Sequence, residues 1–140
     1  MKPCFLDTCA VLHVLQDHKS ALQAISGYKG ILISHVVLGE LIFGCRRSEH
    51  PERERSRISA WLSSISVINP TRETCEVYGE LAADLEARGQ RIPQNDMWIA
   101  ATALLCDLPI ITTDDDFNHL NGRLITVHWV DPTLGKPKAP

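Results

Sequence analysis

Residues 95–114 read NDMWIAATALLCDLPIITTD, and this stretch contains a helix followed by a strand. The segment 95–107 is strongly apolar, which predicts a helix buried in the interior of the protein. A short apolar strand follows at 110–112. Acidic residues border the unit, because Asp96 lies in the first turn of the helix and Asp114 follows the strand. A carboxylate beside an apolar core is costly, so each of these acids is expected to have a partner that neutralises it.

The alternation of short apolar runs with helical patterns extends in both directions along the chain. Further strands are predicted at 3–7, 30–34, 67–68 and 123–129. Helices are predicted at 8–16, 35–45, 51–64 and 71–88, with a turn or short helix at 114–120. This order predicts one α/β domain over residues 1–130, a three-layer sandwich with a mainly parallel central sheet of about five strands and helices on both faces. Residues 131–140, rich in Pro, Lys and Gly, are expected to form a flexible C-terminal tail.

The composition is that of an ordinary globular domain, with 140 residues, 44% hydrophobic and 22% charged. The net charge of −3 does not indicate nucleic-acid binding, although a cluster of carboxylates would lower the total and bound metal would return positive charge locally. The N-terminus makes a poor signal peptide and no stretch approaches the length of a membrane span, so we expect a cytoplasmic protein. We interpret the cysteines as reduced and mostly buried, and they are Cys4, Cys9, Cys45, Cys75 and Cys106.

Four acidic positions from distant parts of the chain are placed to converge. Asp7 and Asp114 each follow a predicted strand, and sites in open α/β sheets form beyond the carboxyl ends of the strands. Glu40 lies about one and a half turns into a helix that leaves a third strand end, and Asp96 lies in the first turn of its helix. Oxygen-only ligands of this kind suit Mg²⁺ or Mn²⁺, as in metal-dependent phosphodiester cleavage. Spacing alone leaves simpler interpretations open, because Asp96 could serve the helix dipole and residues 114–116 could form a solvated turn.

Four segments together resemble a known family. They are FLDT at 5–8, SHVVLGELIFG at 34–44, NDMWIAATA at 95–103 and ITTDDDF at 111–117. In this order and at about this spacing they resemble the PIN domain, and within it the small VapC-type toxins of toxin–antitoxin pairs. The resemblance implies a PIN-like fold and a metal-dependent endoribonuclease that hydrolyses single-stranded or loop RNA.

The resemblance also implies the roles of individual residues. The implied catalytic acids are Asp7, Glu40, Asp96 and Asp114. The implied ligands of one or two Mg²⁺ or Mn²⁺ ions are Asp7, Asp96, Asp114 and Asp116, whereas Asp115 is expected to point to solvent. The hydroxyl residues implied to support the acids are Thr8 and Thr112. A homodimer and a cognate antitoxin, whose tail fills the acidic groove, are implied as partners.

Residues outside this set have two interpretations each. Arg46 and Arg47 directly follow the Glu40 helix and are candidates for gripping RNA phosphates, although the charged segment 46–57 also fits a solvated, salt-bridged helix face. Cys9 stands where the family often carries Asn or Ser, and we expect a small buried thiol. His35 replaces a smaller residue and could face the site.

Two other functions compete with RNA cleavage. A phosphoacceptor receiver domain also has an acidic pocket at strand ends, but it needs adjacent acids after the first strand and a Lys after the last one. This chain has a single Asp7 and offers Thr126-Val127-His128 instead. A PIN-fold RNA-binding or scaffolding module without cleavage activity is the remaining alternative, and the intact acids argue against it.

Overall fold

The computed structural model describes residues 1–120 and 125–130. The strands are β1 (Cys4–Leu6), β2 (Ile31–Ser34), β3 (Ser66–Ile68), β4 (Ile110–Thr112) and β5 (Val127–Trp129). The helices are α1 (Thr8–Leu15), α2 (Lys19–Ile25), α3 (His35–Arg47), α4 (Pro51–Leu62), α5 (Arg72–Ala87) and α6 (Gln94–Leu105), and a 3₁₀ helix spans Asp115–Leu120.

The five strands form one parallel sheet in the order β3-β2-β1-β4-β5. Cys4, Phe5 and Leu6 of the central strand β1 are all fully buried. Because consecutive side chains of a strand point to opposite faces, helices must cover both faces of the sheet. The predicted α/β sandwich is thereby confirmed. The order also differs from the 2-1-3-4-5 order of receiver-like folds, which removes that alternative.

Local signals in the sequence explain where several helices begin and end. Asp7 caps α1, since its Oδ1 accepts the Ala10 N–H at 2.8 Å, and Ser34 caps α3 by accepting the Val37 N–H at 3.3 Å. Gly89 follows α5 with φ +67°, a left-handed conformation that favours glycine and stops the helix. The predicted helix ends agree with the observed ones to within two residues.

Two differences from the predicted elements are informative. Helix α2 was not predicted, because Ala21 is its single buried residue among those described and no side chain caps it. Strand β5 is shorter than the predicted strand at 123–129, part of which lies outside the described residues, as does the predicted tail at 131–140.

Within the described residues, no helix has the length and apolar character needed to cross a membrane.

The expectation that the cysteines are mostly buried is wrong. All five thiols are free. Cys4 and Cys45 are buried, Cys106 is intermediate, and Cys9 and Cys75 are exposed. Cys9 and Cys75 lie on helices whose apolar periodicity does not fix which side of the first turn meets the core.

Candidate active site

The direction in which the chain adds strands to the sheet reverses between β1 and β4, and the acidic residues meet at this point. From β1 the chain adds β2 and β3 on one side, and later β4 and β5 on the other. The carboxyl ends of β1 and β4 therefore border a crevice of the kind in which α/β sheets bind ligands. The register pairs Leu6 with Ile111, so the next residues along the two strands, Asp7 and Thr112, become neighbours.

Thr112 joins two of the acids by its hydroxyl group. Its Oγ1 donates to Asp7 Oδ2 at 2.5 Å and accepts the Asp114 backbone N–H at 2.9 Å. Thr112 is fully buried and Asp7 is 3% exposed, so the hydrogen bond between them is shielded from water, whereas the one from Asp114 is only partly buried. Asp7 Oδ1 is held separately by the start of α1. The Asp7 carboxylate is thus fixed at both oxygens, and the chain entering the 3₁₀ helix is fixed relative to it.

Asp96, Asp114 and Asp116 bring one carboxylate oxygen each to within 4.8 Å of one another. The first turn of α6 supplies Asp96, and the chain after β4 supplies the other two. Asp114 Oδ1 also accepts the Asp116 N–H at 2.9 Å, which holds this turn in shape. Oxygens on opposite sides of Mg²⁺ are about 4.2 Å apart. The three carboxylates therefore fit one such ion after a small inward movement, and oxygen donors are the ligands that it prefers.

Glu40 reaches the same crevice from α3. Its Oε1 accepts a hydrogen bond of 2.9 Å from Thr8 Oγ1, the residue directly after Asp7. The Thr8–Glu40 pair is partly buried and joins elements 32 residues apart in sequence. The two threonines predicted to support the acids thus contact one acid or more each. Thr8 positions Glu40, and Thr112 positions Asp7 and the Asp114 backbone.

Crowding and burial alter the protonation of two acids. Burial raises the pKa of Asp7 to about 6, although the hydrogen bonds from Thr112 and Ala10 oppose the rise. Burial also raises the pKa of Asp96 to about 7, and the charges of nearby acids, Asp114 foremost, add to it. In both acids burial is the larger cause, and the neighbouring negative charges add to it. Perturbed groups of this kind cluster at functional sites.

Cys9 faces this cluster, contrary to the prediction of a buried thiol. Its side chain is exposed. Its pKa is raised by partial burial and by the charges of Asp7, Asp114 and Asp96, while the Thr113 side chain hydrogen-bonds to it. A position two residues after a strand-end acid was the signal that could have placed Cys9 at the site.

The remaining predicted residues lie at the margin. Asp115 is exposed, in agreement with its predicted orientation to solvent. His35 is exposed at the start of α3. Arg46 and Arg47 are both exposed at the end of α3, but they line different cavities. Arg47 shares its cavity with Glu40, whereas the Arg46 cavity also contains Pro51.

Comparisons with known proteins agree with the fold. The sequence matches the PIN domain family over residues 4–123. Ribonuclease VapC1 of Haemophilus influenzae is 30% identical, and the match covers 91% of this chain and 96% of that protein. The crystal structure of VapBC2 from Rickettsia felis bound to a DNA fragment from their promoter has a TM-score of 0.81 at 26% identity, covering 92% of this chain and 99% of the matched one. VapBC-5 of Mycobacterium tuberculosis, a member of the VapBC family of toxin–antitoxin systems, has a TM-score of 0.74 at 25% identity, covering 93% and 100%.

Proposed function

The chain belongs to the PIN domain family, and we propose that it is a metal-dependent endoribonuclease that acts as the toxin of a toxin–antitoxin pair. The named ribonuclease from Haemophilus influenzae supports RNA cleavage, because the match extends over nearly the whole of both chains. The VapBC structures support an antitoxin as partner. The observation that carries the proposal is the convergence of Asp96, Asp114 and Asp116 beside the buried Asp7.

The metal would be Mg²⁺ or Mn²⁺. Asp96, Asp114 and Asp116 would hold it, with Asp7 as the fourth acid at the base of the crevice. When bound, the ion supplies Lewis-acid stabilisation of the charge that develops on the phosphate and lowers the pKa of water. Burial and neighbouring negative charges raise the pKa values of Asp7 and Asp96, and a bound cation would favour their ionised forms.

Residues of the chain itself have separate roles in the rest of the reaction. Glu40 takes a proton from the attacking water, and Thr8 fixes the carboxylate for this role by holding Oε1. The water oxygen then bonds to phosphorus and the bond to the leaving ribose oxygen breaks. That oxygen takes a proton from solvent, and Glu40 releases the proton it took to solvent. Thr112 keeps Asp7 and the Asp114 backbone in a fixed relation while this happens. Fixed carboxylates need little reorganisation during the reaction.

The substrate and partners follow from the same proposal. RNA would be bound as a single strand or loop, because a phosphodiester bond must enter a crevice lined by helices. The antitoxin would place a tail in the acidic groove, and the toxin would form a homodimer in the cytoplasm. The alternative of a PIN-fold module that binds RNA without cutting it is distinguished by a cleavage assay.

Asp96→Asn tests the function directly. It removes one charge from the carboxylate cluster while keeping the shape of the side chain. We expect a loss of at least about a hundredfold in kcat with Mg²⁺ or Mn²⁺, since removing one stabilising group of a transition state typically costs this much. Asp115→Asn is the matched control, because it removes the same charge from an exposed neighbour of the cluster. Full RNA cleavage in EDTA, or by Asp96→Asn, would contradict the metal mechanism.

A further inference from the structure

One face of helix α3 extends from Glu40, in the candidate active site, to Arg47 at the end of the helix. Glu40, Phe43 and Arg47 follow one another at spacings of three and four residues, which places them in a row on the same side of the helix. The Phe43 side chain is 58% exposed. The Arg47 guanidinium carbon lies 4.5 Å from the centre of its ring, a cation–π contact that holds both side chains in place.

The row lines a cavity of about 580 Å³ that is continuous with the site. Its lining includes Thr8 and Glu40 of the candidate active site. Leu12, which is 43% exposed, lines it from α1, and α4 contributes further lining. This volume falls within the range that holds a small organic molecule, so it suffices for a single nucleotide.

The charges of the cavity favour a base over a run of phosphates. Among the described residues that line it, Arg47 is the single Arg or Lys. Glu40 and Glu49 add negative charge, whereas Glu54 forms an ion pair with Arg57, which lies outside the lining. A chain of phosphates would be repelled by this lining, but an uncharged base would not. An exposed aromatic ring is what every nucleobase can stack on.

We propose that Phe43 and Arg47 form a nucleotide-binding subsite that holds an unpaired base adjacent to the scissile phosphate. The proposal rests on the proposed ribonuclease function and names residues that bind its substrate beside the cleaved bond. The base stacks on the Phe43 ring, and Arg47 contacts the phosphate attached to it. Glu40 and Arg47 are about 10 Å apart along the helix axis, so the nucleotide next to the cleaved bond reaches this subsite.

The same geometry separates two adjacent arginines. Arg46 lines a different cavity, together with Ile42, Pro51 and Glu52. Consecutive helical residues point about 100° apart, so two neighbours on α3 cannot both face the row. The subsite therefore uses Arg47, and Arg46→Ala becomes a control of identical charge on the same helix.

Substitutions at Phe43 test the stacking. In an assay with a short single-stranded RNA of mixed sequence, Phe43→Ala should raise KM between about fivefold and one hundredfold, the range expected for one lost base stack. The kcat should stay within about threefold, because Phe43 takes no part in the chemistry. Phe43→Trp should restore KM, whereas Phe43→Leu, which keeps apolar bulk without a ring, should not.

RNA that lacks one base separates stacking from a structural role of Phe43, because a purely structural role would not depend on that base. Affinities are measured by fluorescence anisotropy on the Asp96→Asn protein, in which cleavage is blocked, with RNA carrying an abasic site at each position in turn. One abasic position should weaken binding when Phe43 is present and have no further effect with Phe43→Ala. Arg47→Ala should also reduce the salt dependence of binding by about one counterion, and Arg46→Ala should leave it unchanged.

Equal affinities of the Phe43 and Phe43→Ala proteins for every abasic RNA would overturn the subsite. If these variants instead lose the co-purified antitoxin while RNA binding is unchanged, the cavity binds protein and the proposal is wrong. Both outcomes are independent of the proposed function, which fails when the native protein does not cleave RNA with Mg²⁺ or Mn²⁺, or when it cleaves RNA fully in EDTA.

Discussion

Thr112→Val should destabilise the protein in a way that depends on pH. Valine keeps the volume and branching of threonine but removes the hydroxyl that donates to Asp7 Oδ2 and accepts the Asp114 N–H. A hydrogen bond to a charged group contributes about 1.5–3 kcal/mol to stability. The Asp114 N–H is only partly buried, so water can replace its lost acceptor. We expect a net loss of about 2–3 kcal/mol at about pH 8, where Asp7 is ionised.

The cost should fall on acidification. The hydrogen bond from Thr112 lowers the pKa of Asp7, so its stabilising effect is present above that pKa, about 6, and is lost as pH falls through it. At about pH 5 Asp7 is protonated, and the cost should approach the value of roughly 1 kcal/mol for a hydrogen bond between neutral groups.

The measurement is urea denaturation of both proteins in EDTA at the two pH values. Thermal melting should show a matching difference of roughly 6–12 °C at the higher pH. Thr102→Val is the matched control, because Thr102 is equally buried and its hydroxyl donates only to the Trp98 carbonyl, already an acceptor within α6. It should cost less than about 1 kcal/mol at both pH values. An equal cost of Thr112→Val at both pH values would refute the reasoning.

Two further predictions concern protons and metal. Since the native pKa values of Asp7 and Asp96 are raised from 3.8 to about 6 and about 7, the native state binds more protons than the unfolded chain. In EDTA the free energy of unfolding should therefore rise as pH is lowered from about 8 toward 5, and a flat profile in urea denaturation would contradict the assigned pKa values. The affinity for Mg²⁺, measured by calorimetry, should instead increase between about pH 6 and 8, because protons must leave Asp96 before the ion binds. If calorimetry in buffers of different ionisation enthalpy shows that no proton is released when Mg²⁺ binds, Asp96 is not a ligand.

The fold could be predicted from the sequence because its signals are local. Strand β4 is observed at its predicted residues, since an apolar pair follows Pro109 and a polar run ends it. Helix α2 lacked such signals, with weak apolar periodicity and no capping side chain. Its position depends on packing against α1, which no local pattern encodes.

The site was predicted in part for the same reason. Strand ends and helix starts are legible, so the convergence of Asp96 and Asp114 could be expected. The direction in which a side chain points within a helical turn cannot be predicted from the sequence. This explains the wrong prediction for Cys9 and why Arg46 and Arg47 were given the same predicted role. The side chains of Arg46 and Arg47 point about 100° apart around the helix axis, and only the surrounding helices decide which of the two faces the cavity.

The hydrogen bond between Thr112 and Asp7 joins residues 105 positions apart in sequence, and this separation sets the moment at which the enzyme becomes complete during translation. Ribosomes add about 5–20 residues per second, so roughly 5–20 s pass between the synthesis of the two residues. Until then the nascent chain lacks β4 and two of the three converging carboxylates. A ribosome making this protein is therefore not exposed to the nuclease activity of that chain until the chain is almost finished.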